Sequence, residues 1–304
     1  MSNPTPSNYA HSIFAKLKNL AKEKGYFFNQ LLVRYANERF LYRLSVSEFA
    51  KQFVLKGGNL FIIWQNGWSF RPTIDSDLLC FGKADEQHLA FVFAQLCDAE
   101  GHDSDGMKYD ASSIKVSQIR EETEYGGTRI VLNAYLGNAR VPLQFDIGIG
   151  DAITPAAEIT EFPVLLDGAI PKLRVYPKET AIAEKVEAMV SKGFENSRMK
   201  DFYDIWLLSE LFDFDYSVLR KAIYNTFVRR GTDMPDDLPI CFSDEFVNFP
   251  MKQTQWAAFI RKNNLHETPS DFCHAALRIR DFILPTLLPD INTPEKWSAG
   301  KGWE

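Results

Sequence analysis

The segment Arg71-Pro72-Thr73-Ile74-Asp75-Ser76-Asp77-Leu78-Leu79 carries two aspartates separated by a single residue. The segment is predicted to be a strand, so alternation places Asp75 and Asp77 on one face, about 6 to 7 Å apart. Two negative charges held so close repel each other unless a cation lies between them. Oxygen ligands at this spacing suit Mg²⁺, which also binds waters and substrate phosphates. A D-x-D pattern alone is short, and it is more often a solvent-facing strand that bears two acids.

Two further features favour a functional interpretation. Gly57 and Gly58 lie just upstream, where a predicted helix meets the first predicted strand. They could let backbone N–H groups approach a phosphate, although a helix end also explains them. Asp146 lies on a later predicted strand, on the face opposite the alternating apolar residues Val141, Leu143, Phe145 and Ile147. It is therefore a candidate third carboxylate that could point at Asp75 and Asp77. A double glycine, a D-x-D and a later single acid form the pattern of polymerase-β-type nucleotidyltransferases, in which two metal ions hold the triphosphate.

The composition predicts a folded protein of the reducing cytoplasm. The 304 residues are 45% hydrophobic and 13% aromatic, which is ample for a packed core. The four cysteines form no C-x-x-C pair, so neither a disulfide scaffold nor a zinc ribbon is supported. No apolar run approaches the roughly 18 residues of a membrane span, and the start lacks an export signal. We therefore expect a soluble protein with no membrane partner.

The charge balance argues against nonspecific coating of nucleic acid, because the formal net charge is −6. An RNA substrate is still compatible with this charge if a local basic groove surrounds the site. Candidates for the rim of such a groove are cations close to the motifs in sequence: Arg71, Lys172, Arg174, Lys178, Arg198 and Lys200.

Hydrophobic spacing predicts an α+β fold, with a mixed sheet, flanking helices and a helical C-terminal domain. Predicted helices span 11–24, 30–44, 86–99, 179–192, 200–211, 217–229, 243–263 and 270–284, and predicted strands span 114–120, 129–136 and 140–149. The segments 60–64 and 69–79 are predicted to form a hairpin around Gln65-Asn66-Gly67. The expected domains are N-terminal helices (1–44), a nucleotidyltransferase domain (45–170), a helical domain (178–290) and a tail (291–304).

The predicted helix 179–192 carries Lys185 inside or beside its apolar stripe. A lysine there must extend to solvent, pair with an acid or contact a ligand such as a phosphate. Asp201 falls in the first turn of the next helix, where the helix dipole favours an acid. Asp204 lies one turn on among apolar residues, so it is expected to need a partner, either Lys185 or Arg198.

Five motifs together resemble the AbiEii/AbiGii toxin family of nucleotidyltransferases, which includes the MenT-type toxins. They are Leu41-Tyr42-Arg43-Leu44-Ser45, Val54-Leu55-Lys56-Gly57-Gly58, Arg71-Pro72-Thr73-Ile74-Asp75-Ser76-Asp77, Glu184-Lys185-Val186-Glu187-Ala188 and Lys200-Asp201-Phe202-Tyr203-Asp204-Ile205. The match runs in order from about residue 31 to residue 206. The family usually has Thr or Ser after the double glycine and often Ser two residues before the first aspartate. Asn59 and Thr73 stand there in this sequence, and both keep a polar side chain.

The resemblance implies catalytic roles for Asp75, Asp77, Lys185 and one of Asp201 or Asp204, and the polymerase-β-type pattern adds Asp146 as a catalytic candidate. Asp75 and Asp77, with Asp146, would bind Mg²⁺ or Mn²⁺, and the helix aspartate of the family matches either Asp201 or Asp204. The expected nucleotide-binding residues are Gly57, Gly58, Arg71, Thr73 and Lys185.

The resemblance also implies a polymerase-β-like catalytic domain and the biology of a toxin. It predicts a separately encoded antitoxin as partner, a role in phage defence, and transfer of NMP from an NTP to RNA, with the tRNA 3′ end as acceptor. Two alternatives stay open. The same carboxylates would serve a transferase that modifies a small molecule such as an antibiotic, for which an acidic pocket is expected. A binding protein that kept the fold without the chemistry is the other.

Overall fold

We describe the fold from a computed structural model of the chain. The structure describes residues 6–68, 73–99, 105–119, 126–265, 268–288 and 294–304. Two compact units divide the chain, the first comprising Met1–Gly150 and Glu158–Val175 and the second comprising Asp151–Ala157 and Tyr176–Glu304. None of the helices in the described ranges is both long enough and apolar enough to cross a membrane.

The first unit contains, within its described residues, a seven-stranded mixed sheet with helices packed on it. Its helices are α1 (Pro6–Lys24), α2 (Phe28–Val46), α3 (Leu60–Trp64) and α4 (Glu86–Asp98). Its strands are β1 (Phe53–Lys56), β2 (Ser76–Cys80), β3 (Met107–Ile119), β4 (Gly127–Leu136), β5 (Ala139–Ile149), β6 (Glu158–Glu161) and β7 (Lys172–Val175). The strands lie in the order β3-β4-β5-β2-β1-β7-β6. This sheet, with its flanking helices, confirms the predicted α+β class.

Alternation along the strands decides which face of the sheet is the core. Every second residue of β5 from Val141 to Ile147 is at most 2% exposed. Helices α2 and α4 supply Phe40 and Phe93, whose rings lie 4.7 and 5.1 Å from the ring of Phe145. The opposite face of β4 and β5, which we name the open face, carries the alternate residues Arg129, Val131, Asn133, Tyr135, Arg140, Pro142, Gln144 and Asp146.

Strand β4 pairs antiparallel with both β3 and β5. The predicted hairpin of 60–64 and 69–79 is wrong. Residues 60–64 form helix α3, and β2 begins only at Ser76. A short apolar run suits a buried helix as well as a strand, and Leu60, Phe61 and Ile62 are all buried here. Residues 69–72 of the expected hairpin lie outside the described part of the chain.

The order of elements around the double glycine also differs from the prediction. A helix was expected before the glycines and a strand after them, whereas β1 precedes Gly57 and α3 follows Asn59. Strand β1 lies between β2 and β7 in the sheet. Phe53, Val54 and Leu55 are all buried, so this strand shows no alternation by which its period could be recognised.

Strand β2 brings the D-x-D segment into the centre of the sheet. It pairs antiparallel with β1 and parallel with β5. In this register Asp77 lies beside Lys56 on one side and beside Asp146 on the other. Because paired residues of neighbouring strands share a face, Asp77 projects from the open face.

The second unit is mainly helical. Its helices are α5 (Lys178–Lys192), α6 (Met199–Leu211), α7 (Tyr216–Arg230), α8 (Asp244–Val247), α9 (Pro250–Asn263) and α10 (Phe272–Leu287). A small sheet in the order β10-β9-β8 joins β8 (Phe214–Asp215), β9 (Lys296–Ser298) and β10 (Gly302–Trp303).

Two features of this unit depart from the sequence expectation. The single helix expected over 243–263 is two helices, because Pro250 lacks a backbone N–H and occupies the first turn of α9. Within the segment expected to be a tail, Trp297 is 1% exposed and donates its Nε1–H to the carbonyl of Ser209 at 2.8 Å. One large buried aromatic side chain anchors this segment, although the segment shows no hydrophobic period.

Candidate active site

Three carboxylates converge on the open face of the sheet. Asp75 directly precedes β2, Asp77 is its second residue, and Asp146 lies on β5 beside Asp77. One oxygen from each of the three can be chosen so that all lie within 4.8 Å of one another. All three residues are half-buried. The structure thus brings together the three acids that the sequence picked out separately.

Gly57 makes room for one of these carboxylates. Its φ of +69° lies in the left-handed region, and a Cβ at this position would collide with the carboxylate and the Cβ of Asp77. Gly57 opens a 3-10 turn, Gly57–Asn59, that joins β1 to α3. The glycine is therefore required both by its own conformation and by the close approach of Asp77.

The backbone of the D-x-D segment is held by polar side chains from its surroundings. Asn59 is 3% exposed and donates from Nδ2 to Oγ of Ser76 at 2.8 Å. Thr73 donates its hydroxyl to the carbonyl and to Oδ1 of Asp75, at 3.3 and 3.4 Å. Asn37 of α2 donates to the carbonyl of Ile74 at 3.2 Å. The residues that depart from the family pattern, Asn59 and Thr73, thus both contact this segment.

An arginine completes the carboxylate cluster. Arg129 of β4 lies directly opposite Asp146 of β5, and its Nε and Nη2 each donate to one carboxylate oxygen at 2.8 Å. Gln144 reaches the same carboxylate from the same strand at 3.3 Å. The hydrogen bond to Asp146 raises the pKa of the Arg129 guanidinium, and the charges of Asp146, Asp75 and Asp77 add to this effect.

The three aspartates fit a divalent metal ion. Mg²⁺ binds oxygen ligands at about 2.0 to 2.1 Å, so two ligands of one ion lie at most about 4.2 Å apart. Oxygens that already lie within 4.8 Å of one another reach that spacing by small side-chain rotations. The donor set is entirely carboxylate, which is the chemistry that Mg²⁺ and Mn²⁺ prefer. Asp75, Asp77 and Asp146 would hold the ion.

The second unit carries a separate cluster around Lys185. Its Nζ lies 2.8 Å from Oδ1 of Asp201 and 2.8 Å from Oδ2 of Asp204. The side chain of Lys185 is 14% exposed, whereas those of Asp201 and Asp204 are 1% and 0% exposed. The lysine therefore bridges two buried carboxylates, so Asp201 and Asp204 are both its partners.

A second cation contacts Asp201. Nε of Arg198 lies 2.6 Å from Oδ2 of Asp201. Burial alone would raise the pKa of the Asp201 carboxyl, but the charges of Lys185 and Arg198 outweigh it and hold the pKa at about 2. Asp201 is thus a charged, buried acid that depends on its two cations.

The helix that carries Lys185 is fixed by an ion network on either side of it. Arg230 of α7 lies 2.8 Å from Glu187, 3.3 Å from Asp151 and 3.5 Å from Glu184. Tyr176 also donates its hydroxyl to Glu184 at 3.1 Å. Since Glu184 and Glu187 flank Lys185 on α5, this network fixes the position of that part of the helix.

The other residues picked out from the sequence belong to several elements of the two units. Gly58 is buried in the 3-10 turn, and Arg71 lies outside the described residues. Lys172 pairs with Glu161 at 3.1 Å, and Arg174 donates to the carbonyl of Lys51 at 3.0 Å. Lys178, Arg198 and Lys200 belong to the second unit. The cations expected on one rim are thus divided between the two units.

Sequence reasoning missed the role of Arg129, although a signal for it was present. Gly137-Asn138 is a two-residue turn, and such a turn fixes the register of its hairpin. Counting seven residues outward from Leu136 and from Ala139 leads to Arg129 and Asp146, which do pair. Asn59 gave no comparable signal, because its partner Ser76 is distant in sequence and their contact depends on the whole sheet.

A carboxylate triad on the open face of a mixed sheet, beside a glycine turn, is the arrangement of a nucleotidyltransferase. Residues 39–278 match the family described as nucleotidyl transferase AbiEii toxin, type IV TA system. The chain belongs to this family and is a nucleotidyltransferase, so an NTP is its implied substrate and an antitoxin its implied partner.

Solved structures similar to this chain come from Helicobacter pylori. One is described as a proposed nucleotidyltransferase; it is 14% identical, with a TM-score of 0.45, covering 82% of this chain and 90% of that one. Another, JHP933, has the same identity and TM-score and covers 82% of this chain and 88% of that one. No curated protein matches the chain.

Proposed function

We propose that this chain is a toxin that transfers NMP from an NTP to RNA, with the 3′ end of a tRNA as acceptor and Mg²⁺ or Mn²⁺ as cofactor. The observation that carries the proposal is the cluster of Asp75, Asp77 and Asp146, whose oxygens lie within 4.8 Å of one another. Membership of a nucleotidyltransferase toxin family supports the reaction class. A cognate antitoxin would neutralise the activity.

The reaction assigned to the cluster is attack of an acceptor hydroxyl on the α-phosphorus of the NTP. An oxygen–phosphorus bond forms, the bond between the α-phosphorus and the bridging oxygen breaks, and pyrophosphate leaves. The hydroxyl proton passes to a carboxylate of the cluster. The metal, when bound, supplies Lewis-acid stabilisation of the phosphate charge. Asp75 and Asp77 would hold the ion, and Asp146 would contribute the third carboxylate.

Chain residues outside the cluster have supporting roles in this proposal. The glycine turn at Gly57 and Gly58 lets backbone approach a phosphate closely. Thr73 orients Asp75 through its hydroxyl contact. In the second unit, Lys185 binds a phosphate, and Asp201 and Asp204 orient it through the two 2.8 Å contacts.

The test is incubation of the purified chain with Mg²⁺, each labelled NTP in turn and total RNA. We expect label to enter the tRNA fraction with the wild type and not with Asp75→Asn or Asp77→Asn. Glu158→Gln, which removes an exposed acid from the same unit, serves as the matched control and should label RNA normally. Toxicity on expression should be relieved by Asp77→Asn, which would separate an enzyme from an inert binding protein. Label that enters only a small hydroxylated compound would favour the antibiotic-modifying alternative.

A further inference from the structure

The open face extends well beyond the carboxylate cluster. Pairing of β3 with β4 and of β4 with β5 aligns side chains in rows across the three strands, and β3 has an irregularity between Asp110 and Lys115. The first row is Ser117, Arg129 and Asp146; the next is Lys115, Val131 and Gln144; then come Asp110, Asn133 and Pro142; the last is Lys108, Tyr135 and Arg140. Rows two residues apart are spaced by about 7 Å, so the face runs about 20 Å from Asp146 to Arg140.

Away from the carboxylate cluster, the charge of this face is opposite in sign to that of the whole chain. Beyond the row of Arg129 and Asp146, the described residues of β3 to β5 on this face include three cations, Lys108, Lys115 and Arg140, and one acid, Asp110. This part of the face therefore has an excess of two positive charges on a chain of net charge −6. Asp110 accepts hydrogen bonds from the backbone N–H and the hydroxyl of Ser112.

The cations farther from the cluster are accessible. Lys108, Lys115 and Arg140 are all exposed. Arg140 donates from Nε to Oδ1 of Asn133 at 2.9 Å, which lays its guanidinium along the sheet. The register places Tyr135 between Lys108 and Arg140. An aromatic ring between two cations suits a nucleotide strand, because bases stack on aromatic rings while phosphates pair with the cations.

We propose that the open face of β3, β4 and β5 binds the acceptor RNA strand. Lys108, Lys115 and Arg140 contact its phosphates, and the terminal nucleotide lies at the carboxylate cluster. This inference rests on the proposed function and names the surface through which the acceptor reaches the site. RNA is favoured over the antitoxin because the face that carries these cations also carries the carboxylates, where the acceptor hydroxyl must be placed.

The test compares two double charge reversals that change the net charge equally. Lys115→Glu/Arg140→Glu alters the open face, and Lys16→Glu/Lys18→Glu alters two exposed lysines of α1. The probe is 5′-labelled tRNA without NTP, whose binding to the full chain is measured across a series of salt concentrations. We expect the open-face variant to bind at least tenfold more weakly, with a salt slope reduced by about 1.5, since each lost phosphate contact removes about 0.7 to 0.9. The α1 variant should stay within about twofold of the wild type.

Mn²⁺ titration of the same proteins shows whether the site is intact. The open-face variant should bind Mn²⁺ as the wild type does, and the milder Lys115→Gln/Arg140→Gln should also bind Mn²⁺ normally and lose affinity for tRNA. Tyr135→Ala should weaken tRNA binding severalfold with little change in the salt slope, because stacking releases no counterions.

Three outcomes would overturn the proposal, and they are distinguishable. If the wild type labels RNA and the open-face variants bind and label it equally well, the surface assignment fails and the proposed function stands. If the open-face variants bind tRNA normally but are no longer neutralised by the antitoxin, the face belongs to the protein partner. If the wild type labels no RNA with any NTP, the proposed function itself fails and the surface assignment fails with it.

Discussion

Arg129 and Asp146 lie directly opposite each other on β4 and β5, and the guanidinium of Arg129 donates to both carboxylate oxygens of Asp146 at 2.8 Å. These oxygens belong to the carboxylate cluster that is assigned to the metal. The cluster of three acids and one arginine carries a formal charge of −2, which one divalent ion would neutralise. Arg129 and the metal therefore compete for the carboxylate oxygens of Asp146.

Replacing Arg129 by methionine removes this competing cation and leaves the cluster with a formal charge of −3. We expect Arg129→Met to bind Mn²⁺ severalfold more tightly than the wild type, as measured by calorimetric titration without nucleotide. Arg140→Met, which removes a cation from the same face about 20 Å from Asp146, should leave Mn²⁺ affinity unchanged. Weaker Mn²⁺ binding by Arg129→Met would instead mean that the arginine orients Asp146 for the metal.

Gly57 and Gly25 offer a matched pair for the glycine turn. Both have a left-handed backbone, with φ of +69° and +72°, but a Cβ at Gly57 would collide with Asp77, whereas a Cβ at Gly25 meets nothing within 4 Å. Gly25→Ala should cost only the backbone penalty of about 1 kcal/mol in the free energy of unfolding and should leave Mn²⁺ binding intact. Gly57→Ala should show the same backbone penalty and should also bind Mn²⁺ at least tenfold more weakly, because the new Cβ forces Asp77 to move. Urea unfolding and Mn²⁺ titration measure the two effects separately, and equal behaviour of the two variants would refute the role of the close approach.

Asp75→Asn and Asp77→Asn should lower nucleotidyl transfer at least a hundredfold, because each removes a charged ligand of the metal. Neither change exposes apolar surface, and each relieves repulsion between like charges, so the melting temperature should equal or exceed that of the wild type. Transfer is measured with labelled NTP and total RNA, and melting by circular dichroism. Near-normal turnover by either variant would remove that residue from the proposed site.

Features of this structure that depend on neighbouring residues in the chain could be predicted from the sequence. Strands β4 and β5 alternate strictly and are joined by the tight turn Gly137-Asn138, so both the strands and their antiparallel pairing were predictable. The order of β1, Gly57 and α3 was not, because Phe53–Lys56 and Leu60–Trp64 are short apolar runs without a readable period. Asp75, Asp77 and Asp146 were recognised as site candidates, but their convergence depends on β2 pairing with β5 across 68 intervening residues, which no local pattern encodes. A cationic partner was expected for Asp204, and Lys185 was one of the two candidates, but the contact of Lys185 with both Asp201 and Asp204 was not predictable from spacing alone.

The Lys185 cluster makes a prediction about stability and pH. Lys185→Met leaves the buried carboxylates of Asp201 and Asp204 without their shared cation, which should cost about 3 kcal/mol in the free energy of unfolding at pH 7. In the wild type the pKa of Asp201 is held at about 2, below its unfolded value. Its stabilising contribution is therefore fully present above about pH 4 and is lost only as the pH falls through about 2. In the variant, Arg198 still lowers the pKa of Asp201 but Lys185 no longer does. The pKa of Asp201 is therefore higher than in the wild type, the acid takes up a proton at a higher pH, and the penalty shrinks as the pH falls. Urea unfolding at pH 7 and pH 5 should thus show a smaller difference between wild type and variant at pH 5.

Lys252 supplies the control for this prediction because it is a buried lysine whose amine donates to backbone carbonyl groups. It is 4% exposed and donates to the carbonyls of Phe194 and Asn196 at 2.8 and 2.7 Å. Carbonyl groups do not titrate, so Lys252→Met should destabilise the chain by a similar amount at pH 7 and at pH 5. A penalty for Lys185→Met that is equally independent of pH would show that removing Lys185 does not change the protonation of Asp201 over this range, and the ion-pair account of this contact would then fail.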